Sequence, residues 1–197
     1  MRPMLRTCAL ALSLLAAAAP ALAADAPTDP ARQTSWGLYL TATEAAAMKR
    51  DLGDAVLFVD VRDPVEIMFT GFAPLVDVNI PFLLSDPTRW HASKPVFAMD
   101  RNPSFAEAVL AALAARGLDR AAPVILMCRS GGERGAPSAA ALEGLGLAAV
   151  HVVVDGFEGA TSKASPDNPV RNVDGWKNSG LPWGYALDRE KMFVRSK

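Results

Sequence analysis

Val124-Ile125-Leu126-Met127-Cys128-Arg129-Ser130-Gly131-Gly132-Glu133-Arg134, with Pro137 shortly after, is the stretch on which the reading of this chain turns. Four apolar residues without polar alternation are the pattern of a strand buried on both faces, as in a parallel sheet. A cysteine and a glycine pair follow, and Pro137 introduces a helix expected to run to about Leu145. In open parallel sheets, ligands gather outside the carboxyl ends of the strands. A glycine-bearing loop there can curl so that successive backbone N–H groups point inward, and a helix start behind it adds a positive end. The expectation is an anion cradle formed by Arg129, Ser130, Gly131, Gly132, Glu133 and Arg134, with the Cys128 sulfur at its base. Arg129 and Arg134 favour the thiolate there and Glu133 opposes them. Such a sulfur is a nucleophile suited to an anionic substrate. Taken singly, each part has a plainer meaning: a core cysteine, a turn at Gly131-Gly132, a surface charge at Arg129. The order strand, cysteine, paired glycine, arginine, helix is what points to a reactive site.

Outward from this stretch the chain alternates strand and helix. Thr41-Ala42-Thr43-Glu44 fits a capping box opening a helix to about Leu52, which Gly53-Asp54 ends. Ala55 to Val61 is a second buried strand. Asp63-Pro64 breaks it and begins a helical turn around Glu66, and Val76 to Ile80 is a further short strand. Asp86-Pro87 and Asn102-Pro103 punctuate a stretch read as loop. Ser104 and Glu107 read as a capping box for an Ala/Leu-rich helix to Arg116, closed by Gly117. Ala149 to Val154 is a strand ending at Asp155-Gly156. Thr161 to Asp174 reads as loop, and Gly175 to Gly184 is a glycine-rich tail bracketed by Trp176 and Trp183. The alternation argues an α/β domain with a mainly parallel central sheet flanked by helices.

Residues 1–23 read as a signal peptide. Arg2 and Arg6 precede an apolar run from Ala9 to Ala19, and Ala21-Leu22-Ala23 offers small residues to a signal peptidase. The run is short for a membrane span; an uncleaved anchor is the alternative. Cleavage after Ala23 removes Cys8 and leaves Cys128 as the one thiol, so an exported chain has no internal disulfide to form. The expected location is periplasmic or secreted, with no membrane span after cleavage. Residues 24–40 read as a lead-in, 41–187 as the domain and 188–197 as a tail whose Lys191, Arg195 and Lys197 face solvent.

The 197 residues carry 51% hydrophobic and 21% charged side chains, enough apolar content for one packed core. A formal net charge of -1 gives no basic surplus for nucleic acid. His91 and His151 have no second ligand at useful spacing, so both read as structural and no metal site is expected. Of the four tryptophans, Trp36, Trp90, Trp176 and Trp183, all read as packing or rim residues.

The Cys128 stretch and its flanks resemble the rhodanese-like sulfurtransferase family over roughly Thr43 to Trp183. The blocks carrying the resemblance are Val59-Asp60-Val61-Arg62-Asp63-Pro64-Val65-Glu66, Val78-Asn79-Ile80-Pro81, Val124 to Gly132, Val154-Asp155-Gly156-Phe157-Glu158-Gly159, and Gly175 to Trp183. The resemblance implies a rhodanese-like domain. It implies that Cys128 attacks the outer sulfur of thiosulfate or a similar donor, becomes a persulfide, and passes the sulfur to a thiol or cyanide. Amides from Arg129 to Arg134 would hold the persulfide and Arg129 would orient the donor's oxyanion end. Asp60 and Arg62 would brace the loop from behind, and neither metal nor organic cofactor would be required. Arg62 and Glu66, four apart, can pair across a turn.

The loop departs from the common form of that family, Cys-Arg-Ser-Gly-Gly-Arg followed by Ser, because Glu133 intervenes before Arg134. Cysteine, five residues and arginine is the signature of cysteine-dependent phosphatases. Glu133-Arg134-Gly135 resembles the loop end of cell-cycle dual-specificity phosphatases and of arsenate reductases of the same fold. There a bidentate Arg134 would hold two oxyanion oxygens. Sulfur transfer, phosphate or arsenate chemistry, and a noncatalytic anion- or sulfur-binding module are therefore the readings to be separated.

Overall fold

The computed structural model describes residues 23–164 and 169–195; the expected signal peptide lies outside them apart from Ala23. One sheet is formed by β1 (Tyr39–Leu40), β2 (Leu57–Asp60), β3 (Val78–Asn79), β6 (Val124–Met127) and β7 (Val150–Val153). Their order is β1-β7-β6-β2-β3, and every pairing is parallel. The register places Leu57 beside Val124 and Val124 beside Val150, so the three central strands end together. β1, within the 24–40 lead-in, is an edge strand of this sheet, and Val152 N–H donates to Leu38 O at 3.0 Å.

Side chains alternate across the sheet with the period of two that a strand imposes. Leu57, Val59, Val124, Leu126, Val150 and Val152 meet α3 (Phe105–Ala115) and α4 (Gly135–Ala140) on one face. Phe58, Ile125, Met127 and Val153 meet α1 (Ala42–Leu52), α2 (Pro64–Thr70) and Trp176 on the other. Because both faces are covered, the strands are continuous apolar runs. Cys128 continues the β6 alternation onto the α3/α4 face.

The capping box at α1 forms as expected: Thr41 Oγ1 accepts from Glu44 N–H at 3.2 Å and Glu44 Oε2 accepts from Thr41 N–H at 2.7 Å. That at α3 does not. Ser104 makes no side-chain cap; Asn102 Oδ1 accepts the Ser104 N–H instead, at 3.2 Å. α4 stops at Ala140 rather than running to Leu145, and irregular turns carry the chain past Gly144 and Gly146, both at positive φ.

The stretch read as loop between Pro81 and Asn102 is a hairpin. β4 (Leu83–Trp90) and β5 (Phe97–Arg101) pair antiparallel outside the main sheet, with a register shift between Asp86 and Trp90. The irregularity absorbs Pro87, which has no N–H for a ladder. Thr88 and Arg89 hold the exposed Asp86 carboxylate down to about 2, and Arg89 also reaches Asp100 on the opposite strand. The C-terminal stretch is tied down as well: Lys191 O accepts from Asn79 N–H at 2.7 Å, and Lys191 Nζ donates to Pro74 O and Val76 O. Among the described residues, no helix is long and apolar enough to cross a membrane.

Candidate active site

Three loops converge at the carboxyl ends of β2, β6 and β7. After β7, Gly156 takes φ +64°, and its backbone passes so close beneath the Cys128 loop that a Cβ would lie 2.6 Å from Ser130 N and 2.7 Å from Cys128 O. The contact allows Phe157 N–H to donate to Cys128 O at 2.9 Å and Glu158 N–H to Arg129 O at 2.8 Å. Gly131, at φ +63°, has no room for a side chain against Val154 O. The carbonyls of Cys128 and Arg129 are thus turned to the segment after β7. Its amides are left over: no backbone N–H from Arg129 to Arg134 donates to an acceptor among the described residues. Unpaired amides in a loop at a strand end are what an anion-binding nest requires. α4, with six residues, is a short backing for it.

Cys128 is free and 2% exposed. It lies at the floor of a cleft of about 780 Å³ whose walls include the loop, Glu66, the turn at Asp29–Arg32, and Leu83, His91, Lys94, Phe97 and Met99 of the β4–β5 hairpin.

The charges are arranged differently from the sequence reading. Glu66 does not pair with Arg62. It takes both Nη groups of Arg134, at 2.6 and 2.8 Å. Burial pulls the Arg134 pKa down, but these bonds and the Glu66 charge, with Cys128 and Asp60 adding, outweigh it and leave it above its ordinary value. Arg129 Nε donates to Glu158 Oε2 at 2.6 Å, while its side chain stays 42% exposed at the rim. Glu133, with a side chain 80% exposed, reaches Lys94 at the hairpin tip. The Lys94 hydrogen bond holds the Glu133 carboxylate below its usual range against a small burial penalty.

Asp60 and Arg62 are fully buried and paired, Arg62 Nη2 to Asp60 Oδ2 at 2.6 Å. Arg62 stacks 4.0 Å over Phe157, the residue whose amide holds Cys128 O, and Val61 N–H donates to Met127 O. Both therefore stand behind the loop and touch it through β6 and Phe157. His91 lines the cleft, and its Nδ1 accepts from Ser93 and Lys94 N–H to shape the hairpin turn. His151 is half-buried in β7, away from the cleft lining, and burial lowers its pKa. Trp176 is a core residue with Nε1 donating to Pro182 O.

The sequence reading missed Glu66 as the partner of Arg134, Glu158 as that of Arg129, and Arg32 and Lys94 as cleft residues. Glu66 and Glu158 do lie in the quoted blocks, which was the available signal. Nothing in the spacing of Arg32 or Lys94 marks them.

A parallel five-stranded sheet with a cysteine loop at its carboxyl edge defines an α/β domain of rhodanese-like fold. No family model and no curated protein matches the sequence. Among solved structures, the chain is similar to Rv0390 from M. tuberculosis, with 29% identity over 75% of this chain and 97% of that one and a TM-score of 0.52. It also aligns with RPA3614 from Rhodopseudomonas palustris CGA009, a protein of unknown function described as a possible tyrosine phosphatase. There the identity is 23% over 60% of this chain and 74% of that one, with a TM-score of 0.32, too low to bear on function.

Proposed function

We propose that this protein is a sulfurtransferase that carries a sulfane sulfur on Cys128. The Cys128 sulfur, as thiolate, attacks the outer sulfur of thiosulfate or a similar anionic donor. A new S–S bond forms, the donor's S–S bond breaks, and its electron pair leaves with sulfite. The terminal persulfide sulfur, anionic, sits among the amides of Arg129 to Arg134. A thiol or cyanide then attacks that sulfur and the Cys128 thiolate is regenerated. The same reading assigns the work to the periplasm or the secreted fraction.

The observation that carries this choice is the Glu66–Arg134 pair. A phosphatase or arsenate reductase needs that guanidinium for two substrate oxygens, and here both Nη groups are held by a carboxylate. The open amides and the Cys128 sulfur need no such release to hold a persulfide. The test is intact-mass analysis after incubation with thiosulfate. One added sulfur on Cys128, removed by cyanide, is the expected result. No adduct, together with turnover of a phosphate monoester, would overturn it.

A further inference from the structure

We propose that Arg32, in the turn ahead of the sheet, is the residue that draws and positions the anionic end of the substrate at Cys128. The inference rests on Cys128 being the reacting atom, as in the sulfur-transfer reading, but not on which group is transferred. The two arginines inside the loop are matched by carboxylates, Arg129 by Glu158 and Arg134 by Glu66. Lys94 is matched by Glu133. Arg32 is not held in this way. Among the described residues its carboxylate contact is with Asp29, Nε to Oδ2 at 3.9 Å, and its guanidinium makes no hydrogen bond to another described residue.

Its placement is built rather than incidental. Pro30–Arg32 is one turn of 3₁₀ helix that Asp29 caps by accepting Ala31 N–H at 3.0 Å. The turn is anchored on both sides. Upstream, Ala24 N–H donates to Tyr39 O at 3.0 Å and Gln33 Nε2 to Pro27 O at 2.9 Å. Downstream, Thr34 N–H donates to Tyr39 Oη at 2.7 Å and Ser35 Oγ to Glu143 at 2.8 Å. The turn so anchored carries Arg32, and its Nη2 lies 3.5 Å from where a Cβ on Gly132 would lie. Glycine at that position leaves the approach open. Arg32 and Cys128 line the same cleft, with Arg171 as a further cation whose Nη1 is given to Gly159 O. An anion entering over Gly132 therefore meets a guanidinium that donates no hydrogen bond to another described residue, before it reaches the amides beneath. The 24–40 segment is part of the site on this account.

The test uses Cys128 itself as the reporter. Alkylation by iodoacetate, an anion, and by iodoacetamide, its neutral counterpart, is timed in the full protein by intact mass. Arg32→Gln is expected to slow iodoacetate about fivefold and leave iodoacetamide within about twofold, as loss of one nearby cation requires. Arg32→Lys should restore most of the difference. The same Arg32→Gln variant should raise the KM for thiosulfate by a similar factor with kcat retained. Equal rates for wild type and Arg32→Gln with iodoacetate would overturn the proposal, as would an equal fall with both reagents, which would mark a steric role. If thiosulfate fails to load Cys128 in the wild type, the sulfur-transfer reading falls, while the alkylation ratio still decides for or against Arg32.

Discussion

Replacing Glu66 by Gln removes a charge and keeps the shape. The pair it breaks has two N–H···O bonds of 2.6 and 2.8 Å between side chains only 10% and 17% exposed. A hydrogen bond to a charged group contributes roughly 1.5–3 kcal/mol net. Glutamine keeps one acceptor for one Nη group and turns an NH₂ toward the other, so one such bond is lost and Arg134 is left charged and nearly buried. The expected cost is about 2–3 kcal/mol, below the 3–5 typical of a fully buried pair because both groups retain some water. For a domain of this size each kcal/mol lowers Tm by roughly 2–4 °C, so a fall of about 4–12 °C is expected in a thermal melt followed by circular dichroism. Arg134→Gln should cost a similar amount by stranding Glu66. The double variant should lose less than the sum of the two singles by about 1.5 kcal/mol or more, since both singles break the same contact. Persulfide formation should slow in Glu66→Gln, because Arg134 closes the loop just before α4. A Tm shift under about 1 °C, or strict additivity in the double variant, would refute the pair and with it the argument that Arg134 is unavailable to substrate.

Cys128→Ser should abolish sulfur loading in the mass assay while melting within about 3 °C of wild type, as befits a small swap that leaves the loop's backbone contacts in place. Glu133→Ala should change stability by less than about 0.5 kcal/mol in urea unfolding, because the Lys94 pair is exposed. It should also lower the thiosulfate KM by removing an acid from the rim and freeing Lys94. Gly156→Ala meets both a positive φ and backbone 2.6–2.7 Å away; a loss of about 3 kcal/mol of unfolding free energy in urea titration, with sulfur loading impaired, is expected. Burial disfavours the His151 cation and holds its folded pKa below the ordinary histidine value of 6.5. The unfolded chain therefore binds the proton more tightly, so stability is full above about pH 6.5 and falls as the pH drops from there toward the folded value. His151→Gln should flatten that part of a Tm-against-pH curve.

The strands of the main sheet were legible because burial on both faces writes an unbroken apolar run. Val124–Met127 was read to the residue, and Leu57–Asp60 and Val150–Val153 lie inside their expected spans. The α1 cap was legible because Thr41 and Glu44 satisfy each other locally. Ser104 and Glu107 present the same letters, but Asn102 competes for the same N–H and wins. The β4–β5 hairpin escaped because its edge position tolerates Pro87, and half of β4 is exposed, so neither alternation nor a continuous run appears. Tyr39–Leu40 escaped because two residues carry no period. Within the site, the loop could be read because its chemistry is contiguous in sequence. Its counter-charges could not: Glu66 is 68 residues from Arg134 and Glu158 is 29 from Arg129, and only folding decides which acid meets which base.

That pairing also bears on the cysteine–arginine spacing. The extra residue Glu133 gives Cys128 and Arg134 the separation of a phosphatase loop, but spacing supplies reach, not availability. For Arg134 to clasp a phosphate it would have to leave Glu66, forfeiting about 2–3 kcal/mol of charge-assisted bonding. The new bidentate contact would do little more than replace what was given up. It would also leave the Glu66 carboxylate facing a dianion in a site where both are partly desolvated, which adds repulsion. Arg32 carries neither penalty, since its carboxylate contact among the described residues is long and half exposed. The cleft thus offers an anion a cation at the rim and amides at the base, while Arg134 remains a fastening between the loop and α2.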